Sequence, residues 1–328
     1  MKKKGQLETQ FNWIFAAIAG ALILSLISGF IFTQMRLAKE KDNEQNLKDF
    51  QGIISALKLT EERVESMDLD PRTSFSLDFE SNVFIMGKSS AEITTDAVAA
   101  PRILTGRKLY IWTRPVMMPA RITNVVFLSP SYRYYVFVAN NINDPEVKEF
   151  YGLFPDSINK MLAAASGTEA TVQNILKQPD AKIRIVYINM PVQNKAALAP
   201  KKISEIAINL NACLVSFNSK SYPLYCDANT NSIMPQIAVL VDNGDDYNVS
   251  VSRILNKAGN VYEILSQRAS ELRSIYQGDC RNIFDDAIPL FNALKNSKNM
   301  EQGVLLLNEE QLKTLYDRAE SKGCANLY

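Results

Sequence analysis

The apolar positions divide this chain into two very unequal parts. Residues Phe11 to Phe32 (FNWIFAAIAGALILSLISGFIF) are apolar almost without a break and carry no charge. Wound as a helix, such a run covers about 33 Å, against about 30 Å for the hydrocarbon core of a bilayer. The pattern therefore predicts one transmembrane helix over 11–33, behind a basic head at 1–10. Gln34 to Asn46 (QMRLAKEKDNEQN) is polar nearly all round, which fits a stem helix or a solvated linker. Leu47, Phe50, Ile54 and Leu57 then recur at helical spacing, so the stem, 34–58, is expected to end in an amphipathic segment docked on a domain.

Beyond residue 58 the periodicity shortens. Phe75, Leu77 and Phe79 alternate with Ser74, Ser76, Asp78 and Glu80, the signature of a half-buried strand. Val83–Met86, Lys108–Trp112 and Ile122–Leu128 read as further strands, and Tyr134–Ala139 (YYVFVA) and Lys182–Ile188 (KIRIVYI) as buried ones. Between those two, Asp144-Pro145 is a helix start, Asp as N-cap and Pro in the first turn. Helices are predicted over Glu146–Tyr151, Pro155–Ala165 and Glu169–Lys177, the last capped by Thr168. Strand, helices, strand implies that part of the sheet is parallel. Ile203–Val215 and Tyr222–Cys226 read as a hairpin, and Gln236–Val241 (QIAVLV) as a core strand. From about Asn260 the pattern is helical, with a capping box at Asn308 and Gln311 for the last helix. The expected fold is α/β or α+β: a mixed-sheet domain over 59–259, a helical region over 260–328, and one N-terminal transmembrane helix.

Composition narrows the chemistry. The 328 residues have a formal net charge of +1 and no histidine. Zero histidine removes Ser-His-Asp and Cys-His nucleophile systems, imidazole acid–base work and imidazole metal sites together. The charge balance gives no reason to expect nucleic acid. No Gly-rich phosphate loop is present, and no cofactor or metal is expected.

The head reads Lys2-Lys3-Lys4-Gly5-Gln6, with the apolar run beginning a few residues later. It resembles the class III signal of archaeal type IV prepilins, and the first 32 residues also resemble the start of a set of uncharacterised archaeal membrane-anchored proteins. The prepilin resemblance implies cleavage between Gly5 and Gln6 with retention of the apolar helix as anchor and assembly element. The third and fifth positions after that cut are Glu8 and Gln10, where the family often has Ser and Glu. In type IV pilins the anchor helix continues into the domain and packs against a sheet.

Basic residues flank both ends of the apolar run: Lys2, Lys3 and Lys4 before it, Arg36, Lys39, Lys41 and Lys48 after it. The positive-inside rule alone is therefore indecisive. The signal-like head and the cysteines favour a cytoplasmic N-terminus and an extracytoplasmic domain. Within the run Ala17, Ala21, Ser25 and Gly29 recur every fourth residue, a ridge of small side chains that permits close helix packing in lipid.

Of the four cysteines, Cys213 and Cys226 fall opposite each other if a two-residue turn is centred on Ser219-Lys220, and Cys280 and Cys324 fall at one end of a helical hairpin. The expected bridges are Cys213–Cys226 and Cys280–Cys324; four reduced, buried thiols are the alternative. Asp227-Ala228-Asn229-Thr230-Asn231 follows the first half of a calcium loop but has Ser232 in place of Gly and Ala238 in place of the closing Glu. The loop Asp242-Asn243-Gly244-Asp245-Asp246, after a presumed core strand, offers Asp242, Asp245 and Asp246 to a cation or a sugar if it lies beside Asn140, Asn141 and Asp144; otherwise it is a solvated turn. Asn248-Val249-Ser250 matches a glycosylation acceptor.

The reading is a single-pass cell-envelope protein acting by a structural or interaction role, pilin-like, with the lipid bilayer and further copies or other envelope proteins as partners. The alternative is a membrane-anchored extracytoplasmic enzyme or ligand-binding domain using the acidic loops.

Overall fold

A computed structural model describes residues 4–58, 63–69, 74–93, 97–118, 120–224, 233–296 and 302–326. The stem is helix, not linker: α1 (Lys4–Lys58) is one unbroken helix of 55 residues, about 80 Å long. Asn43, Leu47, Phe50, Ile54 and Leu57 form a buried stripe along its last turns, while the apolar residues from Leu22 to Phe32 stay exposed. Phe50 packs against Phe75 at 5.5 Å and edge-on against Phe84 at 4.6 Å. Removing Leu47, Phe50, Ile54 and Leu57 from water contributes at most about 6–12 kcal/mol.

The first half of the domain holds β1 (Val64–Asp68), β2 (Phe75–Asp78), β3 (Val83–Met86), β4 (Ser89–Glu92), β5 (Ala97–Ala99), β6 (Ile103–Leu104), β7 (Lys108–Met118) and β8 (Ala120–Pro130). They make two four-stranded sheets, ordered β4-β3-β2-β6 and β1-β7-β8-β5. The first is antiparallel throughout and receives α1. Pro115 does not interrupt β7, because there the strand has run past Trp112, the last residue paired with β1; on such an edge a missing N–H is tolerated.

The third sheet has six strands, ordered β10-β9-β11-β12-β13-β14: β9 (Arg133–Ala139), β10 (Asn159–Ala164), β11 (Lys182–Ile188), β12 (Ile203–Asn209), β13 (Leu214–Phe217) and β14 (Lys220–Pro223). The first four are parallel and the last two antiparallel. Helices α2 (Pro145–Gly152) and α3 (Thr168–Leu176) make the crossovers on opposite faces. Phe150 joins the main core, whereas Val172 and Ile175 form a second one with Val136 and Val138. Asp144 caps α2 as expected, accepting from the Glu146 N–H at 2.9 Å.

Three local expectations are corrected. Residues 159–164, within the segment expected to be helical from Pro155 to Ala165, are strand β10. Pairing with the open flank of β9 overrides the helix preference of Met161, Leu162 and the alanines. Thr168 is not a cap; it is the first residue of α3, and its hydroxyl donates to the Ala164 carbonyl. The hairpin turn lies one residue earlier, on Asn218-Ser219, both at positive φ; two-residue hairpin turns of this kind need that geometry and Asn tolerates it.

The remaining helices are α4 (Ile233–Leu240), α5 (Gly244–Ile275), α6 (Asp279–Leu294) and α7 (Gln302–Ser321). The expected core strand Gln236–Val241 is thus helix α4. All eight of its residues are buried, and an apolar run buried on every side carries no period to tell helix from strand. α5 runs straight through residues 259 and 260, and one core extends from Leu47 through the sheets to Ala319. α7 likewise starts before Asn308, so the capping box there is interior.

The C-terminal end of α6 closes onto α5 at Gly259. A Cβ at that position would lie 2.5 Å from the Lys295 carbonyl oxygen, a backbone atom that cannot swing aside. Gly259→Ala gains about 1 kcal/mol of helix propensity but forces an overpacked contact costing about 1–3 kcal/mol, so a net loss of about 1 kcal/mol is expected. Gly52, also inside a helix, has nothing within 4 Å of its would-be Cβ, and Gly52→Ala is expected to stabilise by about 0.5–1 kcal/mol. Urea melts of the two variants should move in opposite directions; parallel shifts would show that Gly259 is not a packing residue.

Candidate functional site: an arginine–carboxylate junction

The acidic loop follows a helix and not a strand, and it is solvated only in part. It links α4 to α5 over strand β11, where three arginines meet it. Arg184, the third residue of KIRIVYI, is 1% exposed. It donates to the carbonyls of Val241 at 2.6 Å, Ala238 at 3.3 Å and Asp242 at 3.4 Å, and lies 5.5 Å from the centre of the Phe217 ring. It therefore caps the C-terminus of α4, where the helix dipole favours a cation. Burial, reinforced by the nearby Arg133, pulls its pKa down to about 9, which still leaves it charged at neutral pH.

Asp242 accepts from Arg133 Nη1 at 2.8 Å and from the Arg102 backbone N–H at 2.8 Å. Burial alone would push its carboxyl upward; Arg133 outweighs that and holds it below the usual range. Asp246 is 1% exposed and takes the Arg102 guanidinium in a fork, Nη2 at 2.7 Å and Nε at 2.9 and 3.0 Å, plus Asn243 Nδ2 at 3.0 Å. Asn243 is the N-cap of α5, its Oδ1 accepting from the N–H groups of Asp245 and Asp246. Gly244 lets the Tyr222 ring close onto the backbone, since any Cβ there would meet that ring at 2.1 Å. The Asp245 side chain points to solvent, and Asp242, though paired, is still 39% exposed at its side chain; Asp246 is the buried carboxylate of the three. Two of the three carboxylates are thus consumed internally, and the loop is a brace between helix pair and sheet.

The companion residues do not join it. Asp242 contacts Arg133, the first residue of β9, whereas Asn140, Asn141 and Asp144 follow its last. Seven residues of strand, about 20 Å, separate the two groups. Beyond the carboxyl ends of β9 and β11, the place where ligands gather in such sheets, the polar groups are engaged with one another. Asn189 Nδ2 donates to Glu146 and its Oδ1 accepts from Leu210 N–H; Asn141 accepts from Asn143 N–H.

A cavity of about 200 Å³ opens between Val64, Trp112, Thr113 and Arg114 on one side and Gly152 to Pro155 on the other. That is below the range of about 300–1,000 Å³ for small-molecule sites. Among the described residues no group of three His, Cys, Asp or Glu side chains is placed to hold a metal.

Cys280 and Cys324 are bridged, with Cα atoms 5.5 Å apart. Cys213 is also in a disulfide, but it stands opposite Leu224, whose N–H it accepts at 2.8 Å; Cys226 lies outside the described residues. So do Asp227 to Asn231, while Ala238 is inside α4. Asn248 is exposed on α5, and the Ser250 hydroxyl of the same triplet is buried, donating to the Val98 carbonyl at 3.0 Å. Arg102, Arg133 and Arg184 escaped the sequence reading. The signal was there for Arg184: a lone charge inside an otherwise apolar strand must find partners, because an unpaired buried charge is prohibitively costly.

Fold and site together define a mixed α/β domain carried on a single long helix whose N-terminal part is long and apolar enough to cross a membrane. The chain matches no family model, no curated protein and no solved structure.

Proposed function

We propose that this is a single-pass membrane-anchored protein of the cell envelope that acts by a structural or interaction role, in the manner of a pilin. The observation that carries the reading is the division of labour along α1: exposed and apolar from Leu22 to Phe32, docked into the core from Leu47 to Leu57. A helix that needed only to tether a domain could end at the membrane surface. The Cys280–Cys324 bridge suits an oxidising compartment, and with the basic head it supports a cytoplasmic N-terminus and an extracytoplasmic domain. The acidic loop that an enzyme or ligand-binding module would use is occupied by arginines.

Two measurements test this. Intact mass of protein from a host with an active prepilin peptidase should show a chain beginning at Gln6; a chain retaining Met1 to Gly5 excludes the prepilin-like route. In a membrane two-hybrid assay Ala21→Leu and Gly29→Leu, on the small-residue ridge, should weaken self-association several-fold, while Leu22→Ala, off it, should not. Equal behaviour of both sets would leave α1 as a tether only.

A further inference from the structure

The end of the domain from which α1 emerges is basic, and its position along α1 fixes how far it stands from the apolar run. Lys88, in the β3–β4 turn, pairs with Glu40 of α1 at 2.9 Å. A Cβ on neighbouring Gly87 would touch Asn43. Glu40 is eight residues beyond Phe32, about 12 Å along the helix. A headgroup layer occupies about 5–7 Å of that distance. The turn therefore stands about one Debye length or less from the phosphates at physiological salt.

The same end continues across the domain. Met86, Phe75 and Leu104 form one row across the first sheet, so Thr105 to Lys108, which follow Leu104, lie at the level of Lys88. The Tyr132 ring lies against Gly106, its hydroxyl donates to the Ile103 carbonyl, and Lys182 Nζ lies 5.5 Å from the ring centre. Lys201 and Lys202 follow, through the bond from Ile183 N–H to the Lys202 carbonyl. Lys88, Arg107, Lys182 and Lys201 are all exposed. The acidic residues beside them are Glu40, which already holds Lys88, Asp68, paired in register with Lys108, Asp180, and Asp242, which is taken up by Arg133 next to Lys182. The opposite end of the first sheet is mixed: Asp78, in one row with Val83 and Glu92, and Glu80 are accompanied there by Arg102 and Arg253.

We infer that this basic collar is a docking surface for the phosphate headgroups of an anionic bilayer, the one α1 enters, so that the domain sits on the membrane with a defined face down. The inference rests on the reading of α1 as a membrane helix. Collar and anchor act together: the anchor sets the height, and the collar resists tilting away from the surface. Salt weakens the collar and leaves the anchor alone.

The test uses the full chain in vesicles of phosphatidylcholine alone and of phosphatidylcholine with phosphatidylglycerol. Amine acylation is read lysine by lysine by mass spectrometry. An anionic surface enriches protons within a Debye length, so Lys88 and Lys182 should acylate about threefold more slowly on the anionic vesicles, and lose that difference in 1 M salt. Lys148, exposed on α2 away from the collar, should react alike on both. Arg107→Glu with Lys201→Glu should release Lys182 to the neutral-vesicle rate, while Lys88, whose height α1 sets, stays protected. Equal protection of Lys182 and Lys148, or none at either, in protein that still floats with vesicles in alkaline carbonate overturns the collar and leaves the anchor standing. Protein that does not float overturns both.

Discussion

Replacing Cys280 and Cys324 together by serine should cost the C-terminal hairpin about 4 kcal/mol, the loop-closure value for the 44-residue separation they span. The bridge ties the second residue of α6 to the chain just past α7. The bridge closes the end of α7 where Leu312, Leu315 and Ala319 are buried, and the main neighbour of α7 is α6. The loss should therefore be local first. Amide exchange in α7 should rise by orders of magnitude while β9 and β11 keep their protection. Reduction of the wild-type chain should reproduce the effect. If exchange in α7 is unchanged in the double variant, packing alone holds the last helix and the bridge is incidental.

The second large effect belongs to the junction between α4 and α5, and its asymmetry is the informative part. Arg102 is 56% exposed at its side chain and Asp246 is 1% exposed. Arg102→Met strands a buried carboxylate with Asn243 as its remaining side-chain donor, a change expected to cost about 3–5 kcal/mol. Asp246→Asn keeps the shape and leaves behind an arginine that water already reaches, so about 1–2 kcal/mol is expected. The double variant should then be more stable than Arg102→Met alone. A reversed order would mean the pair is held by the arginine's packing rather than by the carboxylate's need for a partner. Neighbouring Asp242 adds a pH signature. Its folded pKa is depressed, so its contribution is fully present above the unfolded value of about 4 and disappears as pH falls through the folded one. Below about pH 4 the wild type should lose stability that Asp242→Asn has already lost at neutral pH, so the two melting curves should converge in acid.

What could be read from the chain beforehand follows from how one-sided each element is. The stripe Leu47, Phe50, Ile54, Leu57 is apolar on one side and polar on the other, and its docking was legible. So were β2 and α2, the first through strict alternation, the second through Asp144-Pro145. QIAVLV was not, because a helix buried on all sides leaves no polar face to mark the period. β10 was misread for a different reason: its partner, β9, is more than twenty residues away in the pairing, and local preference cannot see it. The loop 242–246 was located, but its chemistry depended on Arg102, Arg133 and Arg184, up to 144 residues distant. A carboxylate's role is set by whether a cation reaches it, and only the fold brings those cations near.

Because α1 is a single rod, its membrane and domain portions keep a fixed rotational phase. Gly29 and Leu47 are 18 residues apart, about five whole turns, as are Ser25 and Asn43. The small-residue ridge therefore points to the same side as the buried stripe, and the domain overhangs it. A neighbouring helix seated on that ridge has to run beneath the domain, which bars two copies from meeting there face to face at one level and permits only partners displaced along the axis. Inserting one residue between Phe32 and Asn43 would swing the overhang by about 100° and uncover the ridge; inserting eighteen would restore the phase and merely raise the domain.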